Sequence, residues 1–248
     1  MAILAEIAIF TRTGGEFLSR WGHYLSGVTW IGLLYYFNFV QVPAFATFDG
    51  AARTEAIAKL VPRALWWFRW GAVLTLLFGI SILGFGKDLN ADYFKSAPGI
   101  SISTGILLAL IMFLNVWGVI WRNQKIVIAS AQRVQAGGEA DPEAAGAGRK
   151  ALLASRTNAL FSIPMLFFMA ATSHFVGPLG FDASQSSDRA AFQGISFVLI
   201  MLFELNALGV FGGFAPAPHR KYLESHRDTI IAGFGLAIVL YVLFDIFF

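Results

Sequence analysis

Apolar residues in this chain gather into six long runs, near residues 21–42, 65–85, 99–121, 157–177, 190–212 and 229–248. Each run holds about the twenty residues that a helix needs to cross a hydrocarbon layer roughly 30 Å thick. Helix breakers and charges fall between the runs: Pro43, Asp49 and Gly50, then Lys87 and Asp88, the stretch from Gly137 to Gly148, Gly180 and Asp182, and finally Pro216 and Pro218. A backbone in lipid has to satisfy its own hydrogen bonds, so the pattern predicts an all-α, polytopic bundle of about six transmembrane helices, forming a single transmembrane domain over residues 1–248. Residues 1–16 are too short an apolar stretch to span and predict a surface helix, retained because Met1 to Phe10 lacks the basic start of a signal peptide. The small and polar residues of 134–150 predict a flexible cytoplasmic loop.

The charges between the runs give the expected orientation. One set of loops collects Arg53, Lys59, Arg63, Arg122, Lys125, Arg133, Arg149, Lys150, Arg156, Arg220, Lys221 and Arg227, whereas the opposite set has only Arg12, Arg20, Lys87, Lys95 and Arg189. The richer side is expected in the cytoplasm, which leaves the N-terminus and the C-terminus outside.

Composition sharpens this picture. The chain is 57% hydrophobic and 13% charged, far too apolar for a water-soluble domain of 248 residues. The absence of cysteine excludes disulfides, iron–sulfur clusters and covalent c-type haem within the chain. The net charge of +3 follows from the topology-setting Lys and Arg, and nucleic acid is not an expected partner. No phosphate loop, nucleophile elbow or zinc-protease signature occurs. Small residues four apart, Gly22 with Ser26 and Ala190 with Gly194, predict close helix packing.

Candidate chemistry centres on four histidines. His219 and His226 fall in a basic loop, whereas His23 and His174 lie within runs, near the outer ends of the first and fourth helices. Two helices are therefore expected to deliver an imidazole to one depth, which suits axial ligation of a haem b iron. Gly27 lies one turn from His23, and Ala170 one turn before His174, so small residues share their faces. Trp30 continues down the first helix as a packing partner for the ring. The bland alternative is an interfacial histidine bonded to a carbonyl or a headgroup. Arg69 and Glu204 are the clearest intramembrane charges; with Asn158 they suggest a structural ion pair, a proton path or a pocket for a small anionic substrate.

RWGHYLSGVTWIGLLYYFNFVQVPAFA (Arg20 to Ala46), VPRALWWFRWGAVLT (Val61 to Thr75) and SRTNALFSIPMLFFMAATSH (Ser155 to His174) resemble blocks of the bacterial membrane-bound urate hydroxylases, the urate oxidase N-terminal family. The long forms of that family continue from the membrane domain into an outward-facing cytochrome c domain, whereas this chain ends at Phe248, as a short form would. The resemblance implies oxidation of urate to 5-hydroxyisourate in the bacterial inner membrane, with electrons relayed to a separate cytochrome c or respiratory complex. A more distant likeness, through His23, Trp30 and Gly32 and through the spacing of Arg156, Asn158 and Pro164, is to small haem-binding protoporphyrinogen oxidases and copper-resistance membrane proteins. Two other expectations stand beside the enzyme: a non-catalytic haem-binding or anchoring subunit, and a transporter of urate or another small anion.

Overall fold

The computed structural model describes residues 8–248, and all regular structure in them is helical. Six helices are long and apolar enough to cross a membrane, and the chain is a multi-pass membrane protein. They are α1 (Arg12–Phe45), α3 (Val61–Gly86), α4 (Ala97–Gln135), α5 (Ala144–Leu179), α6 (Ser186–Ala207) and α7 (His226–Phe247). A short helix, α2 (Gly50–Lys59), joins α1 to α3. The loops divide into a basic face, holding α2 and the α4–α5 and α6–α7 connections, and a terminal face, where α1 begins and α7 ends.

Caps decide several boundaries that hydropathy misplaces. The Thr11 hydroxyl accepts the Gly14 N–H at 3.1 Å, so α1 starts at Arg12. Residues 12–16 are thus the first turns of a span and not a separate surface helix; Ala8–Phe10 form one 3-10 turn before the Thr11 cap, and residues 1–7 lie outside the described residues. The stretch expected as a loop over 134–150 is a loop only over 136–143: α4 runs to Gln135 and the alanine-rich start of α5 begins at Ala144. Alanine is the best helix former, which outweighs Gly146 and Gly148. The short turn between is tied down where the Asp141 N–H donates to Ser130 Oγ at 2.9 Å. At the other end of α6, Gly209 at φ 79° and Gly212 at φ 93° turn the chain out of the helix before the expected boundary at 212.

Two sub-bundles result. In the first, α1 and α3 form a close hairpin. A Cβ on Gly22 would stand 2.6 Å from the Phe78 ring, and one on Gly71 3.2 Å from the Trp30 backbone nitrogen. Gly22 and Ser26 are buried there as their spacing suggested. Ala190 is exposed and Gly194 has open space beside it, so the second small-residue pair makes no such crossing. In the other sub-bundle, α5 is central, with α4, α6 and α7 around it. Gly233 of α7 passes so close to α5 that a Cβ would meet the Leu160 carbonyl at 2.9 Å. Phe161, Phe168, Phe192, Leu240 and Phe244 fill the interior.

At about 1.5 Å per residue, the 39 residues of α4 and the 36 of α5 are longer than a bilayer core requires. Their ends extend past the basic face, where α2 packs against α4. The α6–α7 loop is clamped onto this extension. Arg149 holds Glu224 in a forked ion pair, Arg156 donates to the Leu223 carbonyl, and the fully buried Arg220 donates to Ala215 O at 2.7 Å and Asn206 O at 3.2 Å.

Candidate functional site

Two side-chain hydrogen bonds tie α1 to α5 between the two sub-bundles. Tyr35 Oη and Ser162 Oγ lie 2.9 Å apart, and Asn38 Nδ2 donates to Ser155 Oγ at 2.8 Å one turn nearer the basic face. His23 lies twelve residues before Tyr35, and His174 twelve after Ser162. Antiparallel helices rising about 1.5 Å per residue therefore carry both imidazoles roughly 18 Å from the Tyr35–Ser162 bond towards the terminal face.

Their surroundings differ. His23 is half-buried against α3, with Nδ1 2.9 Å from the Thr75 backbone oxygen. A carbonyl only accepts, so Nδ1 carries the proton and Nε2 keeps a lone pair, the tautomer of a metal-ligating imidazole with an outer-shell partner. Gly79 makes the approach possible, since a Cβ there would lie 3.3 Å from His23 Cε1. His174 is exposed and has no hydrogen-bond partner among the described residues. It sits in a π-helical turn, Thr172–Val176, anchored to α4 by Thr172 Oγ1 donating to Ser101 Oγ at 3.1 Å. The two rings thus share a depth while packing on different neighbours.

Of the residues expected around them, Gly27 has nothing within 4 Å of where a side chain would begin, and Ala170 is exposed. Both leave open volume on the histidine faces. Trp30 is instead buried in the core, 2% exposed, with its indole N–H unpartnered. No three His, Cys, Asp or Glu side chains cluster as a metal site among the described residues, so a non-haem ion has no ready donor set here.

The intramembrane charges do not meet. Arg69 stacks its guanidinium over Trp121, 3.5 Å from the ring centre, and over Trp117 at 5.2 Å, while Nε donates to Leu65 O. Glu204 is 5% exposed and accepts from Asn115 Nδ2 at 3.0 Å; the same amide donates to Asn158 Oδ1 at 2.9 Å, and Asn158 Nδ2 donates to Met112 O. The expected ion pair is therefore replaced by two arrangements, a cation on indole rings and a carboxylate in a buried amide network. Asn158 and Glu204 come together only through Asn115, a residue with no charge to distinguish it in the sequence from an ordinary helix-bridging amide.

Local helix geometry links these sites. Three π turns interrupt the spans, Tyr36–Gln41, Asn115–Ile120 and Thr172–Val176, and they carry Asn38 with Gln41, Asn115 and His174 respectively. Such turns widen a helix by one residue and frequently coincide with functional positions.

These features define a multi-pass α-helical membrane protein with two imidazoles at matched depth towards one face and, towards the other, a buried carboxylate that makes no ion pair among the described residues. A family model described as urate oxidase N-terminal matches residues 91–186, so this part of the chain is similar to that family. It runs through α4 and α5, taking in Asn115, Asn158, Ala170 and His174; His23, Arg69 and Glu204 lie outside it. No curated protein and no solved structure matches the chain.

Proposed function

We propose that this protein is a haem b membrane oxidoreductase that converts urate to 5-hydroxyisourate and passes the electrons to a separate cytochrome c. Urate and one water give 5-hydroxyisourate, two protons and two electrons, and two one-electron acceptors take the electrons. Haem b, when bound, supplies the single-electron relay between substrate and acceptor. His23 and His174 would hold it, and Gly27 and Ala170 leave room beside them. Thr75 O keeps the His23 proton on Nδ1 and so presents Nε2 to a metal. Glu204, held by Asn115 away from any cation, is suited to accept and release a proton during turnover. The basic face would be cytoplasmic, which sets the histidines towards the outer side of the bacterial inner membrane, within reach of a soluble cytochrome.

The observation that carries this reading is the His23 imidazole, held by Thr75 with Nε2 free, at the same depth as His174; the family match supports urate as the substrate. Detergent-purified protein is expected to show a Soret band and a reducible b-type spectrum, both lost in His23→Ala and His174→Ala. Urate is expected to reduce that chromophore, and to be consumed when oxidised cytochrome c is present. A chromophore that urate never reduces would assign the chain to an accessory haem subunit, and purified protein without one would remove the redox reading.

A further inference from the structure

Towards the basic face, a cavity of about 520 Å3 opens between the π turn of α1, the short helix α2, and the extensions of α4 and α5. That is within the range of roughly 300–1,000 Å3 typical of small-molecule sites. The Glu204 network and the histidines contribute nothing to its walls.

Two buried amides line it, both placed by the π turn. Asn38, 1% exposed, donates Nδ2 to Leu34 O and to Ser155 Oγ, each at 2.8 Å, which fixes the amide orientation and leaves Oδ1 without a partner. The Gln41 side chain makes no hydrogen bond among the described residues; the residue is 9% exposed, and its Oε1 is likewise buried and unpartnered. Orphaned buried acceptors cost about 1–3 kcal/mol each, so two in one wall call for a donor from outside the chain. Phe37 and Phe45 supply aromatic surface in the same cavity. Of its two arginines, Arg149 is held by Glu224 at 2.9 Å, whereas Arg53 is exposed and makes no ion pair among the described residues.

The required ligand chemistry follows from this inventory. It must bring N–H or O–H donors for the amide oxygens, flat apolar faces for the phenyl rings, and negative charge for Arg53. A lipid phosphate offers only acceptors, which would leave Asn38 and Gln41 unsatisfied. A quinol offers donors and no charge. An oxopurine anion such as urate has all three, and its ring –NH–C(=O)– edges match a side-chain amide through both amide groups, as glutamine pairs with base edges elsewhere.

We propose that this crevice is the binding site for an oxopurine anion, with Gln41 and Asn38 reading its N–H edge and Arg53 meeting its charge. The assignment rests on the urate reading above and adds where the substrate first docks: at the basic face, separated along α1 from the histidine level, so the crevice is an uptake site apart from the place of electron transfer. From Gln41 to His23 is eighteen residues, or about 27 Å of helix.

Equilibrium dialysis of the purified full-length protein against radiolabelled urate tests it without requiring turnover. Wild type is expected to retain urate saturably, Gln41→Leu to bind at least tenfold more weakly, and Arg53→Gln several-fold more weakly. Gln41→Leu removes a polar group that has no partner, so its melting temperature is expected to equal or exceed that of wild type, which separates lost binding from lost fold. Equal retention by wild type and Gln41→Leu would overturn the crevice assignment while leaving the urate reading intact. No retention by wild type would overturn both.

Discussion

The imidazole Nδ1 of His23 rests 2.9 Å from the backbone oxygen of Thr75, across the α1–α3 interface. Gly79, one turn further along α3, gives the imidazole room, because a Cβ there would crowd its edge at 3.3 Å and a larger side chain more so. A sequence motif centred on His23 would miss both residues, since they lie more than fifty positions away and act through a main-chain oxygen and a missing Cβ.

Gly79→Val should therefore tilt the His23 ring off Thr75 O. Metal ligands that lose an outer-shell partner usually lose about 10- to 100-fold in metal affinity, and a comparable drop in haem retention is expected on dilution. Optical titration of haem into the purified variant measures it; unchanged retention would remove Gly79 and Thr75 as positioning residues.

Glu204→Gln should preserve the amide network, since Asn115 keeps an acceptor, while removing the group that exchanges a proton. Urate-driven reduction is expected to fall by about 100-fold or more, as for the loss of a general acid or base. The melting temperature should hold or rise, because burying an uncompensated carboxylate is costly. In Asn115→Leu, by contrast, Asn158 and Glu204 lose a buried donor, and a loss of about 1–3 kcal/mol is expected in thermal unfolding.

The clamp on the basic face should respond to acid. Arg149 hydrogen-bonds Glu224 and holds its carboxyl below the ordinary carboxylate range. A group whose folded pKa is depressed stabilises the native state above its unfolded pKa, and that contribution disappears as pH falls through the folded value. Both side chains are partly solvated, so about 1 kcal/mol is at stake. Melting temperatures measured from pH 6 down to about pH 3 should fall for the native chain more than for Arg149→Met, whose Glu224 keeps only the weaker pull of Arg156 and Arg220.

At the α5–α7 crossing, Gly233→Val places a side chain against the Leu160 carbonyl, a backbone atom with no rotamer to move. Overpacking of this kind costs about 1–3 kcal/mol. Gly194→Val on α6, which faces open space, is expected to leave the melting temperature within error, and the pair of measurements separates packing from helix propensity.

Much of the fold is legible in order along the chain. The six apolar runs become six spans because hydropathy sums over contiguous residues and the bilayer sets their length. Helix ends shift where a cap, an alanine-rich start or a glycine intervenes, at Thr11, Ala144 and Gly209, since such signals are short against a background of about twenty residues. The shared depth of His23 and His174 is legible too, because depth in a helix is a count of residues from the interface.

Azimuth and register are another matter, and they decide the chemistry. Arg69 and Glu204 look like a natural pair by charge and level, yet one faces Trp121 and the other Asn115, because each side chain's direction is set by how its helix is rotated against neighbours far away in the chain. The three π turns are also invisible to a periodic reading, as each inserts one residue that hydropathy averages away. By itself, the sequence determined the number of crossings, the distribution of charge between the two faces and the level of each histidine, all quantities that run along a helix axis. Tertiary structure alone decided which groups meet across those axes: Thr75 on His23, Asn115 on Glu204, and the two unpartnered amides of the crevice.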